Sequence, residues 1–187
     1  MRKRLSTLII LFCIANVLVS TAYAGKTIRA HKEKTSRPAL NTDSVSADSL
    51  LQFAQSLIGT RYRPKSSDPS TGFDCSGFVS YVFKNFNFNV PRSSCEFISV
   101  GEKIKLEDAM PGDIILFTGT KKHTRRIGHI GIVVCNDGGD FKFIHSTSGK
   151  EYGVTITSMD KNYKRRYVQI IRLIKLNDAL VCNSTDH

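Results

Sequence analysis

Gly72-Phe73-Asp74-Cys75-Ser76-Gly77-Phe78-Val79 is the stretch whose reading decides the fold. Gly72 and Asp74 mark a short loop that ends at Cys75. From there the apolar residues change to helical spacing, with Phe78, Val79, Val82, Phe83 and Phe86 recurring at three- and four-residue steps. The pattern predicts a helix from Cys75 to about Asn85, with the thiol in its first turn. Unpaired backbone N–H groups and the positive end of the helix dipole stabilise a thiolate there. Two histidines follow in apolar, strand-like segments. His129 lies in Gly128-His129-Ile130-Gly131-Ile132-Val133-Val134, and His145 closes Phe141-Lys142-Phe143-Ile144-His145. A cysteine at a helix start, with histidines on later strands, suits an imidazole that activates a thiol nucleophile.

Upstream, Ser46 to Ile58 carries a second helical stripe of Leu50, Leu51, Ala54, Leu57 and Ile58. Asp43, Ser44 or Ser46 can cap its start and Gly59 its end. Thr60 to Thr71 reads as a Pro- and Ser-rich loop, and Ser94 to Val100 as a short helix or turn. Downstream, Ile114 to Phe117 reads as a buried strand. His129 to Cys135 and Phe141 to His145 flank a Gly-Gly-rich turn and predict a hairpin. Val154 to Ile156 and Tyr167 to Ile174 add strands. Helices first and an antiparallel sheet afterwards is an α+β order. If Cys135 pairs with Phe141, His129 and His145 are diagonal neighbours, about 7–8 Å apart on one face. Both rings then point toward whatever packs on the sheet, and the helix presenting Cys75 is the expected occupant.

The chain ends set the compartment. Met1-Arg2-Lys3-Arg4, the apolar run Leu8 to Val19 and Ala22-Tyr23-Ala24 read as a cleavable signal peptide over 1–24. The apolar run is short against the roughly 20 residues of a membrane span. A retained N-terminal anchor is the alternative. Residues 25–45 read as a flexible leader, 46–176 as one domain, and 177–187 as a polar tail. Export puts the mature chain in an envelope or periplasmic setting that permits disulfides.

The formal charge is +11, and subtracting Arg2, Lys3 and Arg4 leaves +8. Basic clusters at Lys121–Arg126 and Lys161–Arg166 are either solvated loops or an attraction to the anionic cell envelope. Export argues against nucleic acid as their partner. Of five cysteines, Cys13 lies in the signal and Cys75, Cys95, Cys135 and Cys182 remain. Cys135 reads as a buried structural thiol, and Cys182 as paired or free. No CxxC pair or zinc-like His/Cys spacing occurs, so no metal or organic cofactor is expected. Nothing in the chain calls for more than a monomer.

Beyond this reading, five stretches resemble the signature of NlpC-type cell-wall cysteine peptidases, in that family's order. They are Gly59-Thr60-Arg61-Tyr62-Arg63 through Thr71 to Val79, Pro91-Arg92-Ser93-Ser94, Pro111-Gly112-Asp113-Ile114, Gly128 to Val133, and Phe143-Ile144-His145-Ser146. The resemblance implies a papain-like α+β fold that hydrolyses peptidoglycan stem peptides. The bond would join D-glutamate to a diamino acid or bridge two stems. It implies Cys75 as nucleophile, His129 as base and His145 as the orienting third residue. Tyr62 would sit beside the nucleophile, and Asp74 and Ser76 would hold a stem-peptide amine. Asp74 also has an ordinary helix-cap reading. Pro64-Lys65-Ser66 stands where members often carry Gly-Gly, which leaves the preferred bond open. A thiol amidase or acyltransferase on the same machinery is the alternative reaction. A catalytically idle envelope-binding protein is the alternative of another class, and alkylation of Cys75 near neutral pH is the expected discriminator.

Overall fold

The structure, a computed structural model, describes residues 45–120 and 125–174. The expected signal peptide, the leader up to residue 44, His123, Cys182 and the polar tail lie outside the described residues.

Helix α1 (Ala47–Ser56) starts at Ser46, whose hydroxyl accepts from the Asp48 N–H at 3.1 Å. It buries Ala47, Leu50, Leu51 and Ala54. The helix stops two residues before Ile58, and Gly59 takes a positive φ of 86°. Ile58 is therefore exposed rather than part of the stripe. The expected loop after it contains a two-stranded hairpin, β1 (Ser67–Asp68) and β2 (Gly72–Phe73). Strands this short carry no readable alternation. Helix α2 (Cys75–Asn85) spans the predicted residues and is capped by Asp74.

The Ser94–Val100 segment forms a 3-10 turn over Glu96–Ser99. Six strands follow: β3 (Glu102–Ile104), β4 (Ile114–Thr118), β5 (Ile127–Asp137), β6 (Asp140–Ser146), β7 (Val154–Ser158) and β8 (Tyr167–Arg172). They form one antiparallel sheet in the order β3-β8-β4-β5-β6-β7. A short helix, α3 (Lys161–Arg166), stands where the sequence reads only as a basic cluster.

The sheet has two covered faces. Ile114, Leu116, Ile130, Ile132 and Ile144 pack with the buried residues of α1 and α2. The alternate positions Ile115, Phe117, Val133, Phe143 and Ile170 form a second cluster, with Tyr163 of α3 against it. His129 and His145 share the phase of this second cluster. Their rings meet Phe117, Phe143 and Tyr163. The expectation that both rings face one way holds, but the occupant differs: α3 and its aromatic neighbours lie there, while the body of α2 covers the other face.

The hairpin register also differs from expectation. Cys135 pairs with Lys142 and Asn136 with Phe141, one step from the assumed pairing. A bulge between Val133 and Cys135 then restores the assumed register at Val133–Phe143 and Ile132–Ile144. The two departures cancel before the histidines are reached. Cys135, expected as a thiol, is disulfide-bonded.

An ion pair ties the sheet together. Asp113 is 1% exposed and accepts from Arg172 Nε at 2.8 Å and Nη2 at 2.7 Å. It also caps the turn before β4 through the Met110 N–H.

Candidate active site

Cys75 and His129 line one cavity of about 320 Å³, together with Tyr62, Tyr163 and Arg166. Thr147, Ser148 and Gly149, after β6, form part of the remaining wall. The first turn of α2 is brought to this end of the sheet by a buried bond, Ser146 Oγ to the Phe73 carbonyl at 2.7 Å. Gly77 allows the close backing of α2, because a Cβ there would collide with the Ser66 carbonyl oxygen.

The histidines form a diagonal chain across three strands. His129 Nε2 lies 2.7 Å from His145 Nδ1, and His145 Nε2 lies 2.9 Å from Thr157 Oγ1. His145 pairs directly with Thr155, so Thr157 is its diagonal neighbour on β7. Gly131, between the two histidines in phase, leaves their space open. A Cβ there would stand 2.8 Å from Phe143 Cδ2 and 3.3 Å from the His145 Cβ. With Nε2 engaged by His145, Nδ1 is the His129 nitrogen left for the thiol.

Burial controls the protonation states. It pushes the Cys75 thiol up to about 11, with the Asp74 carboxylate adding to the effect. The N–H groups of Ser76 and Cys75 and the Arg92 cation oppose this and are outweighed. Burial likewise holds His129 well below its ordinary value, helped by His145 and Arg166. His145 is lowered to about 4 by burial, then by Arg166. Burial thus favours a neutral thiol and a neutral imidazole, against the thiolate that helix position favours. The same causes, burial first and then the Cys75 and Asp74 charges, raise the Tyr62 phenol, which stays a hydrogen-bond donor.

Asp74 and Ser76, expected as amine contacts, do not line the cavity. Asp74 Oδ1 accepts from the Gly77 N–H at 2.7 Å, as a helix cap does. Its carboxylate also receives Arg92 in a two-pronged pair, Nη1 at 2.9 Å and Nη2 at 2.7 Å. Arg92 further donates to Ser76 Oγ at 3.0 Å and to the Ser66 carbonyl at 3.2 Å. A substrate ammonium would share this carboxylate with the guanidinium.

Arg92, Thr157, Tyr163 and Arg166 escape a sequence reading. Arg92 stands in a quoted motif with no signal of its own. Thr157 sits one residue past the predicted end of its strand. Tyr163 and Arg166 hide among surface cations, where only the aromatic hinted at burial. Among the described residues, no group of three or more His, Cys, Asp or Glu is placed to hold a metal.

Residues 59–172 match the model of the NlpC/P60 family, and the chain belongs to that family. It is 33% identical over 147 residues to the probable endopeptidase NlpC homolog of Haemophilus influenzae, covering 77% of this chain and 70% of that protein. It is 32% identical over 163 residues to the murein DD-endopeptidase MepH of Escherichia coli, covering 84% and 54%. A gamma-DL-glutamyl hydrolase of Bacillus subtilis is 33% identical over 161 residues, covering 85% of this chain but 35% of its own length. The chain thus spans about half the length of the Escherichia coli protein and about a third of the Bacillus subtilis one. Among solved structures, an NlpC/P60 family protein from Bacillus cereus superposes with a TM-score of 0.60 at 26% identity, over 68% of this chain and 40% of that one. The NlpC/p60 domain of the peptidoglycan hydrolase SagA gives 0.55 at 28% identity, over 69% and 100%. The α+β fold is therefore papain-like, as expected, and its family is one of cysteine peptidases.

Proposed function

We propose that this protein is an exported cysteine peptidase that cleaves peptide bonds in peptidoglycan stems. Cys75 is the nucleophile, His129 the base and His145 the residue that orients it. The observation that carries this reading is the shared cavity of Cys75 and His129, with His145 holding the far nitrogen of His129 at 2.7 Å.

The steps follow from neutral partners. His129 Nδ1 takes the thiol proton as Cys75 Sγ attacks the amide carbon, so the charged pair forms only during attack. The new oxyanion is met by the N–H groups of Cys75 and Ser76 in the first turn of α2. Collapse breaks the C–N bond, and His129 gives its proton to the departing amine. A water then attacks the thioester, losing a proton to His129. The C–S bond breaks and the proton returns to sulfur. Tyr62 is assigned to the wall beside the nucleophile, where its phenol can donate to the substrate.

Asp74, Ser76 and Arg92 are assigned to positioning the first turn of α2. A gamma-DL-glutamyl hydrolase and a murein DD-endopeptidase among the relatives support a glutamyl or a cross-bridge bond as the one cleaved. Export over residues 1–24 and an envelope location belong to the same proposal, because the substrate lies outside the cytoplasm. The test is digestion of purified peptidoglycan, with the released fragments identified by mass spectrometry. New stem-peptide termini support the reading and name the bond. Intact stems after prolonged digestion remove it.

A further inference from the structure

Arg166 is a cation in the cavity, with no partner acid among the described residues. Its Nε and Nη2 both donate to the Thr118 carbonyl oxygen, at 3.0 and 2.8 Å. Its guanidinium carbon lies 5.4 Å from the centre of the Tyr163 ring. These contacts fix the side chain and leave Nη1 unused. Among the described residues, no carboxylate lies within ion-pair distance of it. Asp160, at the start of α3, is engaged as the cap of that helix through the Tyr163 N–H at 2.8 Å. A half-buried guanidinium with no counter-charge costs free energy. Closing α3 onto Thr118 needs only a neutral donor. The charge therefore calls for a separate explanation.

Its position supplies one. Arg166 lines the same cavity as Cys75 and His129. The Tyr163 ring, beside which its guanidinium lies, packs against the rings of His129 and His145. The guanidinium thus lies on the imidazole side, where a departing amine would receive its proton. We propose that Arg166 anchors a substrate carboxylate carried by the residue on the amine side of the scissile bond. This rests on the peptidase reading above and adds a specificity to it.

The pinned, planar guanidinium presents its free N–H groups in a fixed direction, which suits carboxylate recognition. Two sources carry that chemistry. One is the terminal carboxylate of a departing residue, and the other is the second carboxylate of a diamino dicarboxylic acid within the stem. A bound carboxylate also offsets the positive field that opposes protonation of His129, so the substrate would assist its own base.

The test uses two matched pairs of stem peptides. One pair differs only in a terminal carboxylate or carboxamide on the amine side, the other in a side-chain carboxylate or carboxamide. kcat and KM are measured for the wild type, Arg166→Gln and Arg166→Lys. The wild type is expected to favour the carboxylate of one pair by about ten- to hundredfold in kcat/KM, chiefly through KM. That pair names the source. Arg166→Gln should bring the ratio near one, and Arg166→Lys should keep part of it. The ratio within a pair does not depend on how much variant folds. Equal rates within both pairs for the wild type, or an undiminished ratio in Arg166→Gln, would overturn the anchor. Cleavage of all four peptides without preference leaves the peptidase reading standing, whereas cleavage of none removes both.

Discussion

On the proposed mechanism, His129 can serve as a base toward Cys75 in one arrangement of protons only. Its Nδ1 must be bare, so Nε2 carries the hydrogen and donates to His145 Nδ1. His145 then carries its hydrogen on Nε2 and donates to Thr157 Oγ1. Reversing the chain would protonate the nitrogen that should take the thiol proton. An acceptor at position 145 is therefore what the reaction needs. His145→Gln can supply a carbonyl oxygen there, and His145→Ala cannot. We expect the Gln variant to keep at least about tenfold more kcat/KM than the Ala variant, the size of one hydrogen bond in a buried site. Equal rates in the two would count against the orienting role.

The pH profile belongs to the same residues. A histidine whose value is lowered stays neutral, and so basic, as pH falls past its ordinary 6.5. With His129 well below that value and His145 at about 4, kcat/KM should hold level through 6.5 and fall only in more acid solution. On the alkaline side, a thiol at about 11 keeps its proton. Alkylation of the free enzyme by iodoacetamide should then be slow near neutral pH and rise steadily toward that value. Slow alkylation at neutrality therefore does not mark an idle protein, and the discriminator expected from sequence is lost. An acid limb centred at or above 6.5 would contradict the lowered His129 value, and rapid alkylation at neutrality would indicate a preformed ion pair instead.

At the scale of elements, the proposed mechanism depends on the first turn of α2. Asp74 caps it, Arg92 grips the cap, and the same guanidinium reaches the Ser66 carbonyl in the loop behind. Arg92→Ala leaves the Asp74 side chain, 13% exposed, without its cation. The Arg92 side chain is 39% exposed, so the loss is smaller than for a fully buried pair, roughly 1–2 kcal/mol. Lysine cannot make the two-pronged contact. We expect both Arg92→Ala and Arg92→Lys to lower the melting temperature and the turnover. A Lys variant equal to wild type in both would show that the charge alone suffices. The elements themselves were legible in proportion to length. Helices α1 and α2 and strands β4 to β8 declared themselves by periodicity. The two- and three-residue strands β1, β2 and β3 had too few positions for any pattern. Helix α3, KNYKRR, has no apolar stripe, and it brings Tyr163 and Arg166 to the cavity unseen.

At the scale of the molecule, the sheet separates the site into two contributions. The α2 face supplies a thiol at its helix end, and the opposite face supplies the imidazoles among Phe117, Phe143 and Tyr163. Sequence phase placed both histidines on one face, because side chains alternate along strands. It could not say which layer covers that face, since both faces of the central strands are apolar. Nor could it foresee that burial outweighs the helix dipole at Cys75, which depends on three-dimensional packing. The proposed set of Cys75, His129 and His145 was read from motif order, and the fold brings these residues to one cavity and one hydrogen bond, while Arg92, Thr157, Tyr163 and Arg166 required the folded chain.

The most direct test of the whole account is hydrolysis of a stem peptide by wild type and Cys75→Ala, measured beside their thermal melting. Alanine suits a helix first turn, so the fold should persist. The account predicts turnover by the wild type and none by Cys75→Ala, with closely similar melting curves. Retained turnover in a well-folded Cys75→Ala protein would contradict it.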